Sequence, residues 1–398
     1  MNRRKAPSGY RWIDDNDEFA EILDELLEAD RYALDTEFHR ERSYYPQLAL
    51  LQVAFNSSIV LVDPLAVDLQ PLRKLMESDV LAVMHAGSQD LEVLEHACGS
   101  APRRFYDTQV AAGFLGYSTP SLTSLVASEL DVRLGKGDRL TDWLRRPLGQ
   151  AQRDYAAQDV QYLLEILDRQ TAALEKKGRL EWALDECAQL LARDRSSQRP
   201  ETAWLRIKEV KHLRGKARGV AKELAEWREE RARATDQPVR FVLSDLALVG
   251  IAQSAPSAEK DLRSIRGLDG RHLKDGGAAK ILEAVQRGLL LDPKQLKDRD
   301  TQPTAALERD LRPAVTLISA WVSQFAREQS LDSSLLATRA DIEAFLRGDA
   351  NARLKCGWRS ELAGQRMRDL VDGRTSLAFD RRQGLVMEPR FGRNMLES

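Results

Sequence analysis

The chain has 398 residues, 43% apolar and 31% charged, which excludes a disordered polymer and calls for two or three packed domains. No apolar run approaches the ~18 residues of a membrane span, and three cysteines without a CxxC pair (Cys98, Cys187, Cys356) exclude a disulfide framework and a cysteine-built zinc site. The net charge of −2 hides an acidic front, with 21 Lys+Arg against 32 Asp+Glu over residues 1–190, and a basic remainder, with 39 against 30, an asymmetry suited to a polyanionic partner.

Met1-Asn2-Arg3-Arg4-Lys5 is basic, but Asp14, Asp15, Asp17 and Glu18 follow where a leader would carry an apolar core. No secretory signal is therefore expected, and the expected compartment is cytoplasmic. Four strands are predicted next, over Tyr32–Phe38, Gln47–Phe55, Ser58–Val62 and Val80–His85. Leu48-Ala49-Leu50-Leu51 and Val53-Ala54-Phe55 are apolar on both faces, as a central strand covered on both sides must be. Helices are predicted over Ser88–Cys98, Asp107–Leu115 and Gln150–Gln170, the last from Val160, Leu163, Leu164 and Leu167 at i, i+3, i+4, i+7 spacing. The front is thus a mixed α/β layer structure.

After about Leu191 the strands stop. Arg193–Glu201 reads as a linker. Residues 204–290 are helical in pattern with a break at Gln237-Pro238, and Asp292–Thr304, with Pro293 and Pro303, reads as a second linker. Residues 305–373 are helical again, with Trp321, Phe325, Leu335, Leu336, Ile342 and Phe345 as core, and Leu377–Pro389 has a strand–turn–strand pattern around Arg382-Gln383-Gly384.

Three acidic features stand out. In Ala33-Leu34-Asp35-Thr36-Glu37-Phe38 the strand period of two projects Asp35 and Glu37 from one face. Two adjacent carboxylates need a cation or a shared proton, and Mg²⁺ or Mn²⁺ is the simplest compensation. In Tyr155-Ala156-Ala157-Gln158-Asp159 the i, i+4 spacing puts a phenol and a carboxylate on one helical face, able to hold a water between them. In His85-Ala86-Gly87-Ser88-Gln89-Asp90 an apolar strand ends in a small-residue turn, and Asp90 falls in the first turn of a helix.

Taken together, the order Asp-x-Glu, Asp, Tyr-x-x-x-Asp resembles the DEDD superfamily of 3′→5′ exonucleases in its tyrosine-bearing branch. Asp35-Thr36-Glu37-Phe38, Tyr44-Tyr45-Pro46-Gln47-Leu48 and His85-Ala86 with Asp90-Leu91 resemble the bacterial ribonuclease D family. So do Asp107-Thr108-Gln109, Phe114-Leu115-Gly116-Tyr117, and Asp142-Trp143 with Arg146-Pro147-Leu148. Further on, Phe241-Val242-Leu243-Ser244-Asp245, Ile265-Arg266-Gly267-Leu268 and Ile281-Leu282 with Ala284-Val285 are similar to the HRDC module, a helical bundle implicated in nucleic-acid binding. Two stretches depart from the pattern: Gly87 and Gln89 stand where many family members carry other residues, and Asp275-Gly276-Gly277 replaces the module's usual basic neighbourhood.

The resemblance implies an α/β ribonuclease-H-like exonuclease domain, a mixed sheet flanked by helices, over residues 12–190. A linker (191–210), an HRDC domain (211–291), a second linker (292–304), a second HRDC-like helical domain (305–373) and a C-terminal tail (374–398) follow. It also implies that Asp35, Glu37, Asp90 and Asp159 bind two divalent ions, Mg²⁺ or Mn²⁺, and that Tyr155 orients the attacking water. A phenol's unperturbed pKa of ~10 argues against a phenolate base there. The implied reaction releases nucleoside 5′-monophosphates from RNA 3′ ends, with tRNA precursors the expected substrate. A DNA exonuclease acting in repair and a non-catalytic nucleic-acid-binding protein are the alternatives.

Residues 204–222 carry Arg206, Lys208, Lys211, Arg214, Lys216, Arg218 and Lys222 against only Glu209, a local +6 able to engage several phosphates or to form a solvated face. Tyr44 and Tyr45 either stack on terminal bases or, for one of them, belong to the core. No HxH or HExxH spacing occurs among the histidines, and neither a Walker A nor a GxGxxG motif is present, so no ATP or dinucleotide and no membrane partner is expected.

Overall fold

A computed structural model describes residues 9–135, 141–193, 199–270, 272–274, 276–294, 296 and 307–390. Asp275 and most of the linker expected over 292–304 lie outside the described residues.

Six strands form one mixed sheet: β1 (Arg11–Ile13), β2 (Arg31–His39), β3 (Gln47–Phe55), β4 (Ser58–Val62), β5 (Leu81–Met84) and β6 (Arg104–Asp107), in the order β1-β4-β3-β2-β5-β6. β2, β3 and β4 pair antiparallel, while β1–β4, β2–β5 and β5–β6 are parallel. Central β3 is buried from Leu48 to Phe55, as its unbroken apolar run requires. On one face Leu34, Leu51, Val53, Val62 and Met84 meet the helices Asn16–Leu27 and Ser88–Cys98. On the other, Ala33, Leu50, Ala54, Leu61 and Val83 meet the helices Gln150–Gln161 and Leu163–Lys176. The Asn16–Leu27 helix buries Phe19, Ile22, Leu23 and Leu26, an i, i+3, i+4, i+7 stripe, and starts where the Asp15 carboxylate accepts the amides of Asp17 and Glu18.

The single helix expected over Gln150–Gln170 is two, Gln150–Gln161 and Leu163–Lys176, because Tyr162 leaves helical geometry (φ −109°, ψ −3°). A one-residue break preserves the apolar spacing on either side, so the periodicity passes over it.

The linker expected over 191–210 is also shorter. From Pro200 the chain coils into two 3₁₀ turns, Pro200–Arg206 and Lys208–His212, which bury Trp204, Ile207 and Val210. These side chains join the core of a separate helical module built on the helices Lys216–Thr235, Asp245–Ser254 and Gly277–Leu290. The first and last of these cross at Gly219 and Gly288, where a Cβ on Gly219 would stand 2.3 Å from the Gly288 carbonyl oxygen.

The third block, with the helices Arg312–Glu328, Arg339–Leu346 and Gln365–Val371, buries Trp321, Phe325, Leu336, Ile342 and Phe345; Leu335 is half-buried against Gly113. The segment expected as a tail carries a hairpin, β7 (Thr375–Asp380) and β8 (Gly384–Pro389), fastened to the Arg312–Glu328 helix by the Leu385 amide donating to Gln324 Oε1 (2.7 Å). This block shares its apolar core with the front of the chain, not with the middle module. Trp358 lies 5.1 Å from Phe114 and 5.4 Å from Trp182 between ring centroids. At Gly116, φ of +100° disfavours any side chain, and a Cβ would press on the Ser330 backbone at 3.3 Å. Among the described residues, no helix is long and apolar enough to cross a membrane.

Candidate active site

β2 pairs with β3 so that Asp35 faces Gln52 and Glu37 faces Leu50. Alternation places Asp35 and Glu37 on the same face as Ala33, under the Gln150–Gln161 helix that brings Tyr155 and Asp159. Thr36 points to the opposite face, where its hydroxyl donates to the buried carboxylate of Asp90. Asp35, Glu37, Tyr155 and Asp159 are each half-buried, so a ligand can still reach them.

The electrostatics report how close the acids are. Burial holds the Asp35 carboxyl well above the ordinary carboxylate range, and Asp90, Asp159 and Glu37 push it the same way. Glu37 is pushed up to about 8 by burial and then by Asp159 and Asp90. Burial raises Asp90 as well, against the hydrogen bond from Thr36. Four such groups cannot all ionise unless positive charge is supplied.

Two devices outside the acids set their positions. Asp107 accepts the amides of Ala86 (3.0 Å) and Gly87 (2.9 Å) and also caps its own helix through Gln109 and Val110, so one carboxylate pins the turn that leads to Asp90. His85 in that turn bonds Thr108 (2.9 Å) and the Pro120 carbonyl (3.1 Å). Arg146 pairs with Asp63 through two nitrogens at 2.6 Å and donates to the Ala49 carbonyl (2.7 Å), fixing the loop before the Tyr155 helix to β3 and β4. Trp143 from that loop lies 6.2 Å from the Tyr155 ring.

The donor set fits divalent cations, whose preferred ligands are carboxylate oxygens. Gln52, across from Asp35 and fully buried, has both amide atoms without a hydrogen-bond partner, a polar group that a hydrated ion beside Asp35 would satisfy. As they stand, no three acidic, histidine or cysteine side chains among the described residues are gathered tightly enough to cage an ion. Sequence reasoning missed Thr36 and Gln52. Their alternation on β2 and β3 was visible, but the bond from Thr36 to Asp90 and the burial of Gln52 were not.

The residues expected to touch nucleic acid fall into two groups. Lys208, Lys211, Arg214 and Lys216 are exposed, with Lys216 donating to the Leu291 carbonyl (3.0 Å). Arg218 is half-buried, its guanidinium 5.4 Å over Trp204. Arg206 instead pairs with the buried Glu229 (2.8 Å), and the Tyr45 ring lies stacked on His96 (centroids 4.2 Å, 8° between planes).

Known proteins resemble this chain. The family model described as 3′-5′ exonuclease matches residues 10–175, and that of the HRDC domain matches residues 217–285. The sheet is therefore that of a 3′→5′ exonuclease carrying an HRDC module. Ribonuclease D of Zymomonas mobilis subsp. mobilis is 33% identical over 94% of this chain and 96% of its own, and that of Nitrobacter hamburgensis is 35% identical over 92% and 96%. The crystal structure of Escherichia coli RNase D, an exoribonuclease involved in structured RNA processing, superposes with a TM-score of 0.80 at 33% identity, over 92% of this chain and 99% of that one. The chain belongs to the ribonuclease D family and is a 3′→5′ exoribonuclease. Its substrate is RNA, and exonucleases of this fold use divalent metal ions.

Proposed function

We propose that this exoribonuclease trims 3′ extensions from structured RNA in the cytoplasm, tRNA precursors above all, and that Asp35, Glu37, Asp90 and Asp159 hold two divalent ions, Mg²⁺ or Mn²⁺. The observation that supports this reading is that burial and neighbouring acids together raise the Asp35 and Glu37 carboxyl groups, which describes a pocket short of positive charge. Its Escherichia coli relative is described as acting in structured RNA processing. Such ions, when bound, make hydroxide available near neutral pH and offset charge on the leaving 3′ oxygen.

The chain's own groups do the rest. Tyr155, one helical turn before Asp159, orients the attacking water by a hydrogen bond. Thr36 and the Asp107-pinned turn hold Asp90 against β2, the strand that carries Asp35 and Glu37. Release of one nucleoside 5′-monophosphate then frees the next 3′ end.

Purified protein with Mg²⁺ is expected to shorten a 3′-extended tRNA one nucleotide at a time on a sequencing gel, and EDTA to stop it. A matched DNA 3′ tail should be degraded more slowly. Shortening that persists in EDTA would remove the metal assignment, and a faster DNA reaction would remove the substrate assignment.

Phosphate binding belongs to the exposed cations of the middle module. Replacing Lys208, Lys211 and Arg214 together by alanine should weaken RNA binding and reduce the slope of log K against log salt by about 2, since each single-strand phosphate contact carries a slope of ~0.7. An unchanged slope in a filter-binding titration would take these residues out of the interface.

A further inference from the structure

We propose that segment 40–46 is a latch through which the HRDC module sets the position of the Asp90 helix, with Tyr44 and Tyr45 as positioning residues. The segment leaves β2 directly after the strand that carries Asp35 and Glu37.

Its module side is held through Tyr44 and Tyr45. The Tyr44 hydroxyl donates to Glu229 Oε1 (2.7 Å) and accepts from Arg233 Nε (3.0 Å), and the backbone amides of Tyr44 and Tyr45 both donate to Asp236 Oδ1 (3.0 and 3.1 Å). Glu229 is almost fully buried and also takes Arg206 Nη2 (2.8 Å), so this anchor is itself fixed on the module.

Its catalytic side is held at two points, both on the Ser88–Cys98 helix. Arg40 pairs with Glu92 (2.7 Å), two residues from Asp90, and the Tyr45 ring stacks on His96. The two tyrosines meet edge to face at 4.8 Å, and Ser43 Oγ donates to the Tyr45 carbonyl (2.6 Å), which closes the segment on itself. Contact therefore runs without a gap from Glu229 through Tyr44 and Tyr45 to His96.

The chemistry of the latch favours geometry over adhesion. A buried carboxylate adds little net stability beyond what apolar packing would give, whereas its directional hydrogen bonds fix one arrangement. Misplacement of a reacting group by about 1 Å costs on the order of 10²-fold in rate. A fraction of that displacement at Asp90 is enough to be read.

This role rests on the placement of Asp90 in the active site. Tyr44→Phe and Glu229→Gln are tested on a trinucleotide, which carries few phosphates for the module to bind, and on a long RNA, both with Mg²⁺ present. Each variant is expected to lower kcat on the trinucleotide about tenfold with KM unchanged, and the double variant to lose no more than either single one. Hydrogen exchange in the Ser88–Cys98 helix should rise in both variants, although the altered atoms lie outside that helix. His96→Ala should reproduce the kinetic loss, and His96→Phe, which keeps a stacking ring, should restore most of it.

Unchanged kcat on the trinucleotide, or a defect confined to KM on long RNA, overturns the latch in favour of direct RNA contact. Unchanged exchange in the helix overturns it as well. An Asp90→Asn variant that still trims would instead overturn the site assignment, a distinct outcome, because the exchange readout does not depend on activity.

Discussion

Asp35→Asn is expected to reduce nucleotide release by ~10³ or more, the scale on which losing one preorganised electrostatic group is felt, while RNA binding stays near the wild-type value. The same substitution should change how metal-free protein responds to pH. Glu37 titrates near 8 in the folded chain against 4.5 ordinarily, so between those values the folded state keeps a proton that the unfolded state has released. Rising pH therefore withdraws stability from the metal-free wild type across that window, and Asp35, displaced in the same direction, adds to the slope. Thermal unfolding in EDTA from pH 5 to pH 9 should show a falling Tm for the wild type, a shallower fall for Asp35→Asn, and recovery of the wild type on adding Mg²⁺. A flat wild-type profile, or a variant that trims normally, would sink the idea that these acids share one pocket.

Glu186→Ala is the substitution expected to cost most in stability. Glu186 sits on the Leu180–Leu191 helix, and its Oε1 accepts from Arg359 Nη1 (2.5 Å) and Trp358 Nε1 (3.2 Å) of the third block, while Arg353 approaches Oε2 at 3.3 Å. Burial alone would raise its pKa, but Arg359, Trp358 and Arg353 together outweigh burial and hold it below the ordinary range. Its contribution is thus present above the unfolded carboxylate pKa and lost as pH falls through the lower folded value. Removing the carboxylate strands the Arg359 guanidinium, whose Nη2 is already buried without a partner, at a cost of about 3–5 kcal/mol. Replacing Glu186 and Arg359 together by methionine should recover most of that loss. Denaturant midpoints at neutral pH check both values, and equal midpoints for Glu186→Ala and the wild type would show that the pair carries no weight.

Much of the catalytic half was legible because its signals are local. β3 and β4 fall on their expected bounds, β2 and the Ser88–Cys98 helix likewise or within a residue or two, since alternation and apolar spacing are short-range properties. The acids were found through their spacing within a strand and within a helix. β1 and β6 were missed, being three and four residues long and too short to show a period. The intramolecular partners of Arg206 and Tyr45 were out of reach for a different reason. A local excess of positive charge and two tyrosines beside acids look available for RNA, yet Tyr44 finds Glu229 185 residues away and Tyr45 finds His96 across the segment. No window of sequence contains such pairings. The hairpin after residue 374 was read correctly as strands, but its attachment to Gln324 was equally out of reach.

The shared core of the first and third portions has a bearing on how the protein is made. Phe114, Leu174 and Ala183 are covered by Trp321, Trp358 and their neighbours, and those partners begin only at Arg312. Between Leu191 and Arg312 a ribosome must add roughly 120 residues, which takes about 6 to 24 seconds at ~5–20 residues per second. Through that interval the nascent nuclease carries a bare apolar face, exposed to aggregation until the third block is made.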